Sequence, residues 1–300
     1  LKVLITGGNG FLGRIIKQII INDCEIFTLG RNDSNYCVDL SLNHIEFIEK
    51  FNVVIHCAGM AHVTPQTENE TRSFFCINVN GTKNLLKSLE NLKPNKFVFI
   101  SSVSVYGIIS GENISETAPL LANDPYGKSK IEAEEIVIKW CDKHNVICTI
   151  LRLPLIVGPN PPGNLGAMIR GIKNRYYFNI AGGTAKKSIV LATDIARFIL
   201  NAAEKGGTYN LTDGYHPTFK ELSKSIANKI GKPFVPNLPK FIALILSKFG
   251  DLIGNNFPVN SQKFLKITST LTFDDTKARE AFGWDPSPVL ESFKIEKDAK

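Results

Sequence analysis

Tyr126 and Lys130 stand four residues apart. In a helix such a pair lies one above the other on a single face, so a phenol and an ammonium can address one bound molecule. The helix is signalled just upstream by Asn123-Asp124-Pro125, where Asp124 is a good N-cap and Pro125 a good first-turn residue. Before it, an apolar run from Phe97 to Ser101 opens into Ser101-Ser-Val-Ser-Val-Tyr-Gly107, a serine cluster at the end of a buried strand. An isolated Tyr-x-x-x-Lys pair would read as solvated helix surface. Behind a serine-rich strand end it reads as a candidate site.

A second chemical feature lies at the start of the chain, in Lys2-Val-Leu-Ile-Thr-Gly-Gly-Asn-Gly-Phe-Leu-Gly13. Lys2 to Ile5 reads as a buried parallel strand, and Ile15, Ile16, Ile19 and Ile20 recur at helical spacing after it. Between them Gly7 permits a tight turn, Gly10 lets the backbone approach a pyrophosphate, and Gly13 lets helix and strand pack closely. A diphosphate would meet the free N–H groups and the positive end of the helix. Strand, glycine turn and helix together point to a dinucleotide cofactor, NAD or NADP.

The elements that must position these residues follow in alternation. Glu25 to Leu29 is a second strand, ending in Gly30-Arg31-Asn32. An acidic residue there would bind a ribose 2′-hydroxyl; Arg31 suits a 2′-phosphate, and a solvated loop arginine is the alternative. Asp39-Leu40 closes a short third strand and is placed to flank the adenine. Val53 to Cys57 is a fourth strand running into Ala58-Gly59-Met60, small residues where a ligand lies at the topological switch point. Asn78-Val-Asn-Gly-Thr82 falls within a helix expected from Glu70 to Asn91, with Gly81 marking close packing or cofactor approach. Val146 to Leu153 is the sixth strand.

After Pro154 the alternation fades into Gly158-Pro-Asn-Pro-Pro-Gly163 and shorter elements. Strands are expected near Tyr177 to Ile180, Ser188 to Leu191 and Thr208 to Leu211, and helices at Asp194 to Glu204 and Thr218 to Ile230. The fold class expected is α/β, a Rossmann-type doubly wound parallel sheet with a smaller C-terminal substrate-binding region. Residues 1–155 would form the dinucleotide-binding domain, with 188–205 returning to it, and 156–187 and 206–300 the substrate region. No internal repeat or low-complexity tract interrupts the chain.

Composition narrows the classes. The 300 residues are 43% hydrophobic and 21% charged, which suits a globular enzyme. The net charge of +7 is scattered, and neither Lys186-Lys187 nor Lys173 with Arg175 forms a nucleic-acid arm. The six cysteines make no C-x-x-C pair and no metal-like cluster with the five histidines. Cys57 and Cys76 read as small core residues, and a reducing, cytoplasmic setting is expected. No targeting segment is expected ahead of the first strand. Phe241 to Phe249, the longest apolar stretch, is too short to span a bilayer and reads as a buried helix. No metal, nucleic acid or membrane is expected as a partner.

Taken together, these segments resemble the extended short-chain dehydrogenase/reductases, the NAD-dependent epimerase/dehydratase family. The likeness rests on Thr6–Gly13, Val54–Gly59 (V-I-H-C-A-G), Asn78–Thr82, Ser101–Gly107, Tyr126–Lys130, Arg152–Pro159 and the closing Lys277–Pro286 with its Trp284. It covers nearly the whole chain. It implies that Tyr126 is a general acid/base, that Lys130 holds the nicotinamide ribose, and that Ser102 binds the reacting oxygen. A phenol titrates near pH ~10, and a neighbouring ammonium is expected to lower that value toward working pH. Cofactor contacts are implied at Gly7, Gly10, Phe11, Leu12, Gly13, Arg31, Asp39, Leu40, Cys57, Ala58, Gly59, Asn78, Tyr126, Lys130 and Leu153.

Ser104, Asn164 and Lys187 are implied as substrate contacts, the last two on a nucleotide diphosphate, with Lys187 where an arginine is common. Where the family's 4,6-dehydratases carry an Asp-Glu pair, this chain has Val103-Ser104, which argues against elimination. The activity implied is hydride transfer at C4 of a nucleotide-sugar in polysaccharide precursor synthesis. Reduction of a 4-keto-6-deoxy sugar is placed first, because Arg31 favours NADP. A UDP-hexose or UDP-N-acetylhexosamine 4-epimerase with tightly held NAD is the runner-up, and a non-catalytic cofactor-binding regulator the distant alternative. The likeness also allows a homodimer.

Overall fold

The computed structural model describes residues 1–63, 65–253 and 260–295. Strands and helices alternate from the first residues: β1 (Lys2–Thr6), α1 (Phe11–Ile20), β2 (Glu25–Gly30), β3 (Tyr36–Cys37), β4 (Val53–His56), α2 (Glu68–Phe74) and, after one π-helical stretch (Phe75–Asn80), α3 (Gly81–Ser88). Then come β5 (Lys96–Ser102), β6 (Gly111–Ile114), α4 (Pro125–His144), β7 (Ile147–Leu153), β8 (Leu155–Val157), α5 (Gly163–Lys173), β9 (Asn179–Ile180), β10 (Ile189–Leu191), α6 (Ala192–Lys205) and β11 (Gly207–Asn210). The chain closes with α7 (Phe219–Lys229), β12 (Asn237–Leu238), α8 (Lys240–Ile253), α9 (Ser261–Thr268), β13 (Leu271–Phe273), α10 (Thr276–Phe282) and α11 (Val289–Ser292).

Seven parallel strands form the main sheet in the order β11-β7-β5-β4-β1-β2-β3. The order reverses between β1 and β4, which places the expected switch point beside the glycine turn. Period-two alternation decides which side chain feeds which layer. Val3 and Ile5 of β1, Val53 and Ile55 of β4, and Leu151 and Leu153 of β7 face α1 and α6. Leu4, Val54, Phe97, Phe99 and Ile150 face the opposite layer, made by α3 and α4. Every one of these is buried, so the near-continuous apolar runs read in the sequence follow from burial on both faces. A separate core gathers Val157, Leu165, Met168, Ile189, Leu222 and Ile226 under the later elements.

The structure departs from the sequence expectations in five places. The third strand is only Tyr36–Cys37, and Asp39 lies beyond it, accepting from the backbone N–H of Ser41 at 2.9 Å. The helix expected over 70–91 is interrupted by the π-helical stretch, a wider turn that places Asn78 and Val79 in the interior. Gly207–Asn210, assigned from sequence to the second region, is the edge strand of the main sheet, pairing with β7. Cys76 is exposed on the π-helical stretch rather than in the core, because the wider turn rotates it outward. Finally, α8 is not buried: Phe241, Leu244, Ile245, Leu246 and Phe249 are all exposed. Its small residues Ala243, Ser247 and Gly250 face the body instead.

Candidate active site

The carboxyl ends of β1, β4 and β5 and the start of α4 converge on one region. At the end of β1, Gly7 takes a left-handed φ of 68°, and a Cβ there would sit 2.8 Å from the Ala58 nitrogen. A Cβ on Gly13 would stand 2.3 Å from the Gly7 carbonyl oxygen, so α1 can approach the turn only without one. No side chain caps α1, and no acidic residue sits in its first turn. The cradle therefore keeps its N–H groups and positive helix end for an anionic ligand, and it fits a dinucleotide diphosphate. The side chains of Leu12 and Leu153 are buried in the sheet's core, so at those positions only backbone can face a ligand. Phe11 packs toward Gly158, where an added Cβ would meet its ring tip at 3.1 Å.

A directed hydrogen-bond chain fixes the loops around this cradle. Thr82 Oγ1 donates to the Asn78 carbonyl at 2.6 Å, so it can only accept from His56 Nε2, 3.0 Å away. His56 Nδ1 is then the acceptor for Thr6 Oγ1 at 2.6 Å, and Thr6 Oγ1 in turn accepts from the Ala58 N–H at 3.2 Å. The imidazole is neutral: burial holds it down at about 3, and the charge of Lys130 adds to that. Asn78, expected at the cofactor, spends its amide elsewhere. Its Oδ1 accepts from Met60 N–H at 2.7 Å and its Nδ2 donates to Met60 O at 3.1 Å and Ser129 Oγ at 2.9 Å. It is a positioning residue for the Ala58-Gly59-Met60 turn, and Gly59 is needed because a Cβ would come 3.0 Å from Asn78 Oδ1.

Ser102, Tyr126 and Lys130 are brought together by two close approaches. Asp124 caps α4 through the Gly127 N–H at 3.0 Å, as the sequence indicates. Gly127 then seats the helix against the turn after β5, where an added Cβ would stand 2.9 Å from Ser104 O. Tyr126 lies close enough to Ser102 to feel its hydroxyl, which donates to Ser104 Oγ at 3.1 Å and accepts from the Ser104 N–H at 3.2 Å. Lys130 is buried, donates to Ile100 O at 2.6 Å and lies 3.9 Å from the centre of the Phe99 ring. Burial lowers it to about 8, against the pull of Glu134 and Cys57.

The Tyr126 phenol differs from the expectation: burial pushes it up, and the nearby Ser102 hydroxyl offsets that only in part. The ammonium expected to lower it is instead turned toward Ile100. Cys57, at the end of β4, has its thiol pushed up to about 12 by burial and packs on the core, so it is inert there.

Beneath the site lies a buried ion pair that sequence reasoning missed. Arg152 Nη2 meets Glu134 Oε2 at 2.7 Å, Ser101 also donates to Glu134, and Arg152 Nη1 donates to Tyr106 Oη at 3.1 Å. Tyr106 Oη continues to Asn210 Oδ1 at 2.8 Å. The available signal was a glutamate on the apolar face of α4, four residues beyond Lys130. The expected substrate contacts are spread more widely. Ser104 is in the site, Asn164 is exposed at the start of α5, and Lys187 is half-buried between β9 and β10. Burial and the nearby Lys266 lower Lys187 to about 8. No carboxylate pairs with it among the described residues, and Lys266 is near enough for its charge to be felt. At the adenine end, Arg31 is exposed and Leu40 is buried. Asp39 is held below the usual carboxylate range by Ser41 first and by Arg31 as well.

Comparison with known proteins adds the following. Residues 3–212 match the NAD dependent epimerase/dehydratase family. The chain is 27% identical over 304 residues to the N-acetyl-alpha-D-glucosaminyl-diphospho-ditrans,octacis-undecaprenol 4-epimerase of Escherichia coli O157:H7, covering 93% of this chain and 89% of that one. It is 26% identical to the UDP-glucose 4-epimerase of Vibrio cholerae, over 98% of this chain and 93% of that one. Among solved structures, RMD from Pseudomonas aeruginosa complexed with NADPH superposes with a TM-score of 0.75 at 19% identity, over 97% and 96% of the two chains. That last likeness speaks for the fold.

Proposed function

Because the chain belongs to the NAD-dependent epimerase/dehydratase family, we propose that it transfers a hydride at C4 of a hexose carried on a diphosphate, as a 4-epimerase. The cofactor is NAD or NADP. The observation that carries the reading is the Ser102–Tyr126–Lys130 cluster at the strand ends, one step from the glycine cradle. When bound, the cofactor accepts and returns the hydride. The protein's own groups do the rest. Tyr126 Oη, in its phenolate form, would take the proton of the sugar's 4-hydroxyl as the hydride leaves C4 and give it back as the hydride returns, while Ser102 would hold the same oxygen by hydrogen bonding. Lys130 would hold the nicotinamide ribose, and the α1 cradle the cofactor diphosphate. Lys187 with Lys266 would hold the substrate diphosphate. Elimination is disfavoured: Val103-Ser104 offers no carboxylate, and both oxygens of Glu134 are engaged.

The epimerase reading moves ahead of 4-keto reduction on one observation. The case for NADP rested on Arg31, and Asp39 stands close enough to feel that charge. A carboxylate within range of the arginine's charge weakens the case for a 2′-phosphate and suits a ribose diol. The relatives' names, which include 4-epimerases acting on UDP- and polyprenyl-diphosphate-linked sugars, support it. Reduction remains the second reading, because Arg31 is exposed and free to turn toward a phosphate.

The test is to supply UDP-glucose, UDP-N-acetylglucosamine and a polyprenyl-diphosphate-linked N-acetylglucosamine without added cofactor, and to follow C4 configuration by NMR. Epimer formation with NAD co-purifying is expected. An empty site that takes up NADPH and reduces a 4-keto-6-deoxy sugar would replace the epimerase by the reductase. Neither reaction in cofactor-loaded protein would remove the C4 assignment altogether.

A further inference from the structure

Helix α8 is inside-out. Ala243, Ser247 and Gly250 pack inward, and the helix contacts α9 and the turn at 181–183. The large side chains point away: Phe241 is 65% exposed, Ile245 52% and Phe249 56%. At 100° per residue, Leu244, Lys248, Phe241, Ile245 and Phe249 form one continuous outer face. Other exposed apolar side chains lie on the neighbouring elements. Phe178 and Phe234, both exposed, flank the paired strands β9 and β12 from which α8 departs, and Leu265 of α9 is exposed beside it. An apolar surface of this extent is not left to water without a partner.

The charge around it says which partner. Across α8 and α9, residues 240–268, the chain carries four lysines and one acidic residue, Asp251. Asp251 is itself engaged by Ser261, whose N–H donates to it at 3.0 Å. Lys240 and Lys248 are exposed on α8 itself, and Lys266 is exposed on the neighbouring α9. A second copy of this chain is a poor occupant, because a two-fold contact would set these lysines against one another. A nucleic acid would satisfy the lysines and leave the aromatic rings in water.

We propose that α8 lies in the headgroup layer of an anionic bilayer, with Phe241, Ile245 and Phe249 inserted among the acyl chains and Lys240 and Lys248 on lipid phosphates. An aromatic and aliphatic face bordered by lysines, on a helix too short to span, is the arrangement such surface binding requires. Lys248, in the middle of the apolar face, reaches the phosphates by extending its stem. The docked orientation sets α9, and with it Lys266 beside Lys187, next to the membrane. The inference stands apart from the reaction proposed above, since it concerns only where the protein sits.

Co-sedimentation with vesicles decides it, using equimolar phosphatidylglycerol and phosphatidylcholine against phosphatidylcholine alone. Wild type should sediment with the anionic vesicles at low salt and be released by added salt. The variant Phe241→Gln/Ile245→Gln/Phe249→Gln should bind at least ~10-fold more weakly, the insertion term having been removed. Lys240→Glu/Lys248→Glu should lose the preference for anionic lipid. Both variants change only exposed side chains and should keep the wild-type melting temperature and cofactor affinity. If the triple variant fails to fold, the charge-reversal pair and wild type decide alone. Two results overturn the proposal. One is no binding of wild type to anionic vesicles at low salt. The other is a wild-type dimer, seen by light scattering, that the triple variant turns into a monomer, which would give this face to a second copy.

Discussion

At the scale of single residues, the candidate site is a set of groups whose charge states are governed by burial. Tyr126 is pushed up and Lys130 down, both chiefly by loss of water. If Tyr126 moves the proton at C4, Tyr126→Phe should lower turnover by about 10²–10⁴-fold with little change in substrate affinity. Steady-state kinetics on an established substrate check this, and near-normal turnover would take the role from Tyr126. Lys130 makes a claim about stability as well. Its folded value, about 8, lies below the unfolded 10.5, so the unfolded chain holds more protons between those pH values. Stability therefore rises with pH through that window, and the burial cost is full below it. Lys130→Met should stabilise the protein at pH 7 by on the order of 1–3 kcal/mol, less the lost bond to Ile100, while abolishing turnover. Urea unfolding at pH 7 and above pH 10 measures both ends. A loss of stability at pH 7 would mean that the bond to the Ile100 carbonyl outweighs the buried charge.

At the scale of elements, the site depends on how closely α1 and α4 approach the strand ends. Each approach is licensed by a glycine, Gly13 for α1 and Gly127 for α4, where an added Cβ would lie within 3 Å of backbone or of the Ala122 methyl. Gly13→Ala should drive α1 off the turn, costing about 1–3 kcal/mol as overpacking and weakening NADH binding at least tenfold. Thermal melts and a fluorescence titration read the two effects. Unchanged NADH affinity would show that the cradle is not where the diphosphate sits. The π-helical stretch between α2 and α3 serves the same end. It turns Asn78 inward, where its side-chain amide holds the Met60 turn after β4 and its backbone carbonyl accepts from Thr82, which links through His56 to Thr6 of β1.

At the scale of the whole molecule, the last elements of the chain complete the first core. Trp284 is buried, donates from Nε1 to Thr212 O at 2.9 Å and packs edge-on against Phe198 of α6 at 5.2 Å. It shares one hydrophobic cluster with Val3 and Ile5 of β1, so the two ends of the chain are stabilised together. Trp284→Ala should cost about 3–5 kcal/mol, seen as a lower urea midpoint in a transition that includes the cofactor-binding half. A loss under ~1 kcal/mol, or a separate early transition confined to the C-terminal elements, would show that the core does not extend to them.

The sequence by itself determined the alternating strands and helices, the parallel sheet, the glycine turn, the Asp124 cap and the Tyr126/Lys130 face, because each is written in neighbouring residues. Buried parallel strands must be apolar on both faces, and caps and turns have local chemistry. What only the tertiary structure decided depends on residues far apart in the chain. Gly207–Asn210 becomes an edge strand because β7 offers an open edge, which no pattern within four residues can announce. Asn78 turns from cofactor contact to loop tie, and Lys130 turns toward Ile100, because their partners come from other strands. Asp39 reaches the neighbourhood of Arg31 only once the chain has passed β3, and that alters the cofactor argument. The apolar run of α8 shows the limit most plainly. Hydrophobicity says that a surface avoids water, but what covers it is decided by the rest of the fold, and here the fold leaves it outward.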